Sequence, residues 1–244
     1  MKLWNLLHGV PLMGEHFTED MEISSLSYDT RTLEPGALFV ALPGAKTDGA
    51  RFIQEALEKG AAAVLCETPP EGEGPWLATP DARRALALVS ANWFGHPARE
   101  LTLVGVTGTN GKTTTTCLIK DLLERVLGTK AGLIGTIENQ IGSLRLPAHR
   151  TTPESCEVQQ LLRQMADAGC THVVMEVSSH ALVQHRVEGL TFDVGVFTNL
   201  TQDHLDYHHT MEEYRDAKGL LFRQCRTAVL NLDDEAGQWY RERV

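Results

Sequence analysis

The chain has 244 residues, with 22 Lys plus Arg against 32 Asp plus Glu, for a formal charge of -10. Apolar residues make up 42% and charged residues 22%, which excludes a disordered acidic tail: such a tail has too little apolar surface to offset chain entropy. The acidic balance argues against a general nucleic-acid binder, because a phosphate backbone demands a basic surface, yet it leaves room for a small anion held at a local site.

The length suits two cores rather than one. No apolar run approaches the span of a bilayer, and the N-terminal segment lacks a signal-peptide cleavage pattern. Cys66, Cys117, Cys156, Cys170 and Cys225 include no CxxC pair, which predicts buried thiols in a reducing cytoplasm rather than a disulfide framework or structural zinc.

Residues 1–98 read as one α/β unit. Short apolar strands are predicted at Glu22–Tyr28, Ala37–Leu42, Ala61–Cys66 and Trp76–Ala78. Between them, Phe52, Ile53, Ala56 and Leu57 recur at helical spacing over Arg51–Lys59, with Gly60 as C-cap. A second helix starts at Asp81 and runs to about Trp93 and Phe94. Pro97 cannot sit inside a helix, so the boundary falls there and a second unit spans 99–244.

In the second unit, strand Leu101–Val106 leads through a Gly-rich loop into helix Thr113–Leu127. A further helix has Thr152 as N-cap, Pro153 at its first position and Gly169 past its end. Strands Thr171–Val177 and Phe192–Phe197 follow. Thr210-Met-Glu-Glu213 matches a capping box opening a helix to about Gln224, and strand Thr227–Asn231 closes the series. Strands alternating with helices predict a P-loop-type, mostly parallel sheet. Ligands of such sheets bind at the carboxyl ends of the strands, which directs attention to the segments after Val106, Val177, Phe197 and Asn231. The early stop after the last strand predicts an incomplete central domain.

The strongest motif is Gly105-Val-Thr-Gly-Thr-Asn-Gly-Lys-Thr113. A strand precedes it and a helix follows, the context a phosphate loop needs. Small residues let backbone N–H groups converge on phosphate oxygens, and the helix N-terminus adds partial positive charge. Lys112 would neutralise β and γ phosphates, and the Thr113 hydroxyl would ligate Mg²⁺. The strict GxxxxGK[ST] pattern would require glycine at Val106, so this is a variant loop. The alternative is a Gly-rich turn with a chance Lys-Thr. A GxGxxG dinucleotide loop fails on spacing, and no Asn-Lys-x-Asp sequence supports a GTPase.

Glu176 falls near the end of a buried strand. A buried carboxylate must be paired or bind metal; Mg²⁺ shared with Thr113 satisfies it, as would hydrogen bonds within the fold. His204 and His208 are four apart, as in some zinc sites, but no His-Glu-x-x-His is present. The reading adopted places His204 toward the Mg²⁺ and phosphate site, with His208 and His209 on a loop surface. Spacing alone puts Lys218 on the solvated face of an amphipathic helix.

Taken together, Thr107-Gly-Thr-Asn-Gly-Lys-Thr-Thr114, Glu176-Val-Ser-Ser-His-Ala-Leu-Val-Gln-His-Arg186 and Asn199-Leu-Thr-Gln-Asp-His-Leu-Asp-Tyr-His208 resemble the Mur ligases. Ser27-Tyr-Asp-Thr-Arg31 and Thr151-Thr-Pro153 narrow the resemblance to the MurE type. It covers nearly the whole chain.

The resemblance implies an ATP-dependent ligase of peptidoglycan precursor synthesis. Its acceptor is UDP-N-acetylmuramoyl-L-alanyl-D-glutamate. ATP phosphorylates the free glutamate carboxylate, and the amine of a diamino acid, meso-diaminopimelate rather than L-lysine, attacks the acyl phosphate. It implies that Gly108, Thr109, Asn110, Gly111, Lys112, Thr113 and Thr114 hold the triphosphate, with Asn231 and Asp233 near adenine or ribose. Thr113 and Glu176 would bind the first Mg²⁺. Lys218 is similar to the lysine that the family carbamylates with CO₂, giving a ligand for a second Mg²⁺ shared with Glu176 and His204; this reverses the solvated-face reading. Tyr28, Thr30 and the Ala45-Lys46-Thr47 turn match uridine-holding positions, and Thr151, Thr152, Ser178, Gln184 and Arg186 match muramoyl-dipeptide positions.

The first unit would then be the UDP-substrate domain and the second a truncated ATP domain. No Asp-Asn-Pro-Arg motif for the incoming amino acid occurs here, so the family's C-terminal domain is expected to lie outside this sequence. A monomer without a membrane span is expected, and no ligase turnover by this portion alone. Two rivals remain: a folylpolyglutamate or cyanophycin synthetase, distinguished by lack of UDP affinity, and a nucleotide-binding module without catalysis.

Overall fold

The computed structural model describes residues 1–17, 19–44, 48–71 and 74–243. The chain divides into two compact units, Met1–Gly95 and His96–Val244. The division falls just before Pro97, which opens a 3-10 turn over Pro97–Glu100 after His96 adopts left-handed φ. Among the described residues, no helix is long and apolar enough to cross a membrane.

The first unit runs α1 (Leu3–Leu6), β1 (Gly14–His16), β2 (Ser25–Ser27), β3 (Ala37–Val40), α2 (Ile53–Glu58), β4 (Ala63–Cys66), β5 (Trp76–Ala78) and α3 (Ala82–Trp93). Its sheet has the order β1-β5-β4-β3-β2, parallel except for β1 against β5. β3 and β4 are buried at every position, as strands covered on both faces must be. The expected helix over Arg51–Lys59 is shorter. Asp48 accepts the Ala50 N–H and opens a 3-10 turn, Gly49–Phe52, before α2 begins. Phe39, Ile53, Ala56 and Val64 form the core beneath it. The strand expected over Glu22–Tyr28 contracts to β2. At the end of β2, Ser27 Oγ donates to the Asp29 carbonyl and Asp29 grips Arg31, which makes a tight turn.

The second unit runs β6 (Thr102–Thr107), α4 (Lys112–Leu127), β7 (Ala131–Ile134), β8 (Glu138–Ile141), β9 (Leu144–Pro147), α5 (Ser155–Asp167), β10 (His172–Glu176), α6 (Ser179–Val183), β11 (Phe192–Phe197), α7 (Leu205–His208), α8 (Met211–Gly219), β12 (Cys225–Leu230) and α9 (Glu235–Arg241). Strand order is β12-β11-β6-β10-β7-β8-β9, with the first five strands parallel and β8 and β9 an antiparallel extension. The expected mostly parallel α/β fold is therefore borne out.

Alternation along the strands decides what faces what. Val104, Val106, Leu133 and Val174 pack against Ile119 and Leu123 of α4. Leu103, Val173 and Met175 join the larger core with Leu162, Phe192, Leu221 and Tyr240. Gly105 lies on that second face because a Cβ there would sit 2.9 Å from Phe192. The first glycine of the motif thus serves packing rather than phosphate.

Four local expectations are corrected. The thiols are not all buried: Cys66 and Cys170 are, Cys156 and Cys225 are half-buried, and Cys117 is exposed. Thr152 does not cap α5; Glu154 does, accepting the Ser155 N–H, and the helix starts at Ser155. The Thr152 hydroxyl instead bonds the end of β10. The Thr210 cap forms, accepting the Glu213 N–H at 3.1 Å, but α8 ends at Gly219 and a 3-10 turn continues to Arg223. The last strand starts at Cys225 and ends at Leu230. The β7–β9 segment was not anticipated: its alternation is short and interrupted by turn residues.

Candidate active site

The site lies at the carboxyl ends of β6, β10 and β11. Gly111, at φ +83°, turns the chain into α4, a conformation that costs glycine nothing sterically. Gly108 (φ +145°) packs so tightly against the β11 loop that a Cβ would lie 1.9 Å from Thr198 Oγ1.

The β11 loop stitches this phosphate loop in place. Thr109 N–H donates to the Asn199 carbonyl at 2.8 Å, and Asn110 N–H donates to Asn199 Oδ1 at 3.0 Å. Asn199 Nδ2 and Thr198 Oγ1 both donate to the Asn110 carbonyl, at 3.1 and 2.7 Å. Two of the amides expected to hold phosphate are therefore engaged with Asn199. Gly111, Lys112, Thr113 and Thr114 stand at the open N-terminus of the 16-residue α4, where N–H groups lack helical acceptors.

Two lysines converge on one carbonyl. Lys112 Nζ donates to the Gly108 and Thr109 carbonyls at 2.9 Å, and Lys218 Nζ donates to the Gly108 carbonyl at 3.0 Å. Burial lowers both pKa values. That of Lys218 falls from 10.5 to about 7, with the Lys112 cation adding to the burial effect. Lys218 is only 1% exposed, so its placement on a solvated face is wrong. The missed signal was the stripe Tyr214, Ala217, Leu221, which puts position 218 on the buried side of α8. The Lys218 ammonium lies 4.3 Å from the Tyr214 ring centroid, a cation–π contact, and the Tyr214 hydroxyl lies 3.3 Å from Thr109 Oγ1.

Glu176 shares its sheet face with Val174, toward α4. It is 1% exposed and fully engaged: Thr113 Oγ1 donates to Oε2 at 3.0 Å, Thr136 N–H to Oε1 at 2.8 Å and Thr136 Oγ1 to Oε2 at 3.0 Å. Lys112 feels the Glu176 and Asp203 charges. A hydroxyl and a carboxylate oxygen this close fit Mg²⁺, a hard cation that takes one or two protein oxygens and completes its shell with phosphate and water. Among the described residues, no group of three or more His, Cys, Asp or Glu is arranged to hold a metal, so a closed all-protein cage is not what the fold provides.

The histidines cluster differently from expectation. His208 is buried, with Nε2 2.8 Å from Ser179 Oγ, and stacks on Tyr214 at 5.0 Å. The loop-surface expectation for it is corrected; His209 is exposed. Burial pushes the His208 pKa down to about 4. His204 is exposed at the start of α7, edge-on to His180 at 4.9 Å.

On the other side of Glu176 the expected dipeptide-holding residues come together. Thr152 Oγ1 donates to the Glu176 carbonyl at 2.8 Å and accepts the Ser178 N–H at 3.1 Å. Arg186 reaches the Thr152 carbonyl at 3.0 Å and Gln184 Oε1 at 2.5 Å. Thr151 Oγ1 lies 3.1 Å from Thr136 Oγ1. After β12, Asn231 Nδ2 donates to the Thr198 carbonyl at 2.8 Å and Asn231 Oδ1 accepts the Asp233 N–H.

In the first unit, Thr30 is buried and its carbonyl accepts from Lys59 Nζ at 2.8 Å, while Tyr28 is half-buried. Ala45, Lys46 and Thr47 lie outside the described residues. Sequence reasoning gave no role to Thr136, Asn199 or Tyr214. Asn199 stood within a quoted motif. Thr136 follows a strand whose shortness hid it.

Comparison with known proteins gives a consistent picture. The family model described as Mur ligase middle domain matches residues 106–244, and that described as Mur ligase family, catalytic domain, matches residues 22–95. The chain is 48% identical over 250 residues to a UDP-N-acetylmuramoyl-L-alanyl-D-glutamate--2,6-diaminopimelate ligase of Geobacillus thermodenitrificans (strain NG80-2), covering 99% of this chain and 51% of the relative. It is 45% identical over 224 residues to the ligase of the same name from Clostridium tetani (strain Massachusetts / E88), covering 90% and 46%. A solved structure of a ligase of that name superposes with a TM-score of 0.81 at 30% identity, covering 99% of this chain and 49% of that one. The chain spans about half the length of the curated relatives it matches.

Proposed function

The chain belongs to the Mur ligase family, and on that premise we propose that it supplies the acceptor-binding and ATP-binding parts of a MurE-type ligase. The reaction adds a diamino acid, meso-diaminopimelate rather than L-lysine, to UDP-N-acetylmuramoyl-L-alanyl-D-glutamate in the cytoplasm, and relatives bearing the diaminopimelate name support that choice. The observation that carries the reading is the Thr113–Glu176 contact at 3.0 Å, which joins a hydroxyl and a carboxylate oxygen, a pair suited to a hard cation, at the mouth of the Gly-rich loop.

The chemistry needs two anions brought together. The glutamate carboxylate of the acceptor attacks the γ-phosphorus of ATP, the bond to the β-phosphate oxygen breaks, and ADP leaves an acyl phosphate. The diamino acid's amine then attacks the acyl carbon, loses a proton and expels phosphate. In-line positioning and charge screening supply most of the rate.

The residues divide that work. Gly108 to Thr114 cradle the triphosphate, chiefly through the free amides at the start of α4, and Lys112 turns from the loop carbonyls to the phosphate oxygens. Asn231 and Asp233 lie toward the nucleoside. Thr113 and Glu176 would hold a first Mg²⁺, which would supply charge to screen phosphate from carboxylate. Lys218 gives a second ligand set with Glu176 and His204: a buried amine with a pKa near 7 has an unprotonated fraction at neutral pH. That fraction could add to CO₂, with an N–C bond formed and a proton released, and the carbamate so made would replace the ammonium with a carboxylate-like ligand. Thr151, Thr152, Ser178, Gln184 and Arg186 hold the muramoyl-dipeptide, and the first unit holds the uridine nucleotide through Tyr28, Thr30 and the Ala45-Lys46-Thr47 turn.

The test is phosphate release from ATP by a chain of the relatives' full length that contains this sequence. Release is expected only when UDP-muramoyl-dipeptide and the diamino acid are both present. Equal release without the dipeptide would overturn the reading. The 244-residue chain should bind ATP and UDP in titrations and form no tripeptide product.

A further inference from the structure

We infer that Thr136 is a positioning residue that orients the Glu176 carboxylate for metal and ties it to the acceptor side of the site. The inference rests on the nucleotide–Mg²⁺ reading above.

Thr136 immediately follows Gly135, past the end of β7, the neighbour of β10. Gly135 permits the approach: a Cβ there would lie 2.6 Å from Glu176 Oε1. Thr136 uses two donors on one carboxylate, its N–H on Oε1 and its hydroxyl on Oε2. Pinning both oxygens fixes the carboxylate plane and leaves Oε2 facing Thr113 Oγ1. A metal ligand held this way does not have to be reoriented when the ion arrives.

The same hydroxyl lies 3.1 Å from Thr151 Oγ1. A threonine hydroxyl has one proton and two lone pairs. Thr136 Oγ1 stands as donor to both Thr151 Oγ1 and Glu176 Oε2, and its single proton goes to the ionised carboxylate, the stronger acceptor. A chain of hydroxyls thus runs from Thr151 through Thr136 to the carboxylate that also meets Thr113. Thr136 is itself exposed, so changing its hydroxyl leaves the core untouched.

The test is calorimetric titration of the 244-residue chain with a non-hydrolysable ATP analogue, with Mg²⁺ and with chelator. In the unsubstituted chain Mg²⁺ should tighten binding. Thr136→Val, which keeps the N–H and loses the hydroxyl, should lose about tenfold of that Mg²⁺-dependent gain, the scale of one hydrogen bond to a charged group. Its affinity under chelation should stay unchanged, and Thr136→Ser should recover the gain. If Mg²⁺ does not tighten binding in the unsubstituted chain, the metal-site reading falls and this inference with it. If it does, and Thr136→Val equals the unsubstituted chain or weakens both conditions alike, the inference alone is overturned.

Discussion

Replacing Lys218 by methionine should stabilise the second unit at neutral and acid pH and lose that advantage in alkali. Lys218 is 1% exposed, and its pKa drops from 10.5 to about 7, first through burial and then through the Lys112 charge. At about 1.4 kcal/mol per pKa unit, that drop corresponds to about 5 kcal/mol against the charged form. Below pH 7 both the folded and unfolded chains carry the proton, and the penalty is present in full. Between 7 and 10.5 only the unfolded chain carries it, so stability rises with pH across that window. Methionine has similar length, tolerates the apolar stripe of α8 and carries no charge. The lost hydrogen bond costs little because the Gly108 carbonyl still accepts from Lys112 at 2.9 Å. Urea unfolding in CO₂-free buffer should therefore favour Lys218→Met by several kcal/mol at pH 6.5, shrinking toward zero near pH 10.5. Trp239 reports on this unit if Trp4, Trp76 and Trp93, all in the first unit, are replaced by phenylalanine. A stability difference that stays constant with pH, or a less stable variant at pH 6.5, would refute the reasoning.

Three further outcomes follow from the same geometry. Asn199→Ala removes one acceptor and one donor from the phosphate loop and should weaken binding of an ATP analogue by about tenfold in calorimetry; unchanged affinity would show that the loop holds itself. Gly108→Ala meets both a left-handed φ and a Cβ 1.9 Å from Thr198 Oγ1, so it should destabilise the second unit by about 3 kcal/mol or more, read by the same Trp239 unfolding. His208, with its pKa pushed down to about 4 by burial, should stay neutral in NMR titration until well below pH 6. Because the unfolded chain takes up that proton near 6.5, stability should fall as the pH drops from 6.5 toward 4; titration near 6.5 in the folded chain would contradict the buried placement.

Local chemistry makes much of this arrangement legible in the sequence. The strand–loop–helix turn around Gly108 and Gly111 could be read because glycines, a lysine and a threonine mark such a turn, and the Thr210 cap because its spacing is fixed by one helical turn. Glu176 could be read because period-two alternation carries a carboxylate into a strand that is otherwise apolar. Lys218 shows the limit: its charge suggested solvent, the apolar residues three and four positions away pointed inward, and spacing did not choose between them; the family resemblance reversed the reading, and burial against the Gly108 carbonyl bears the reversal out. His208 went the same way, a polar ring taken for surface until Ser179 and Tyr214 closed around it.

The sequence by itself determined the alternation of strands and helices, the ends of the strands where chemistry gathers, and the residue types able to hold phosphate and a hard cation, because these depend on spacing within a few residues. Tertiary structure alone decided that Asn199 takes up two loop amides, that two lysines share the Gly108 carbonyl, and that Thr136 and Thr113 clasp one carboxylate. Apart from the Lys112 bond within the loop, those contacts join residues 40 to 110 positions apart, and no local periodicity encodes which strand ends come to lie side by side.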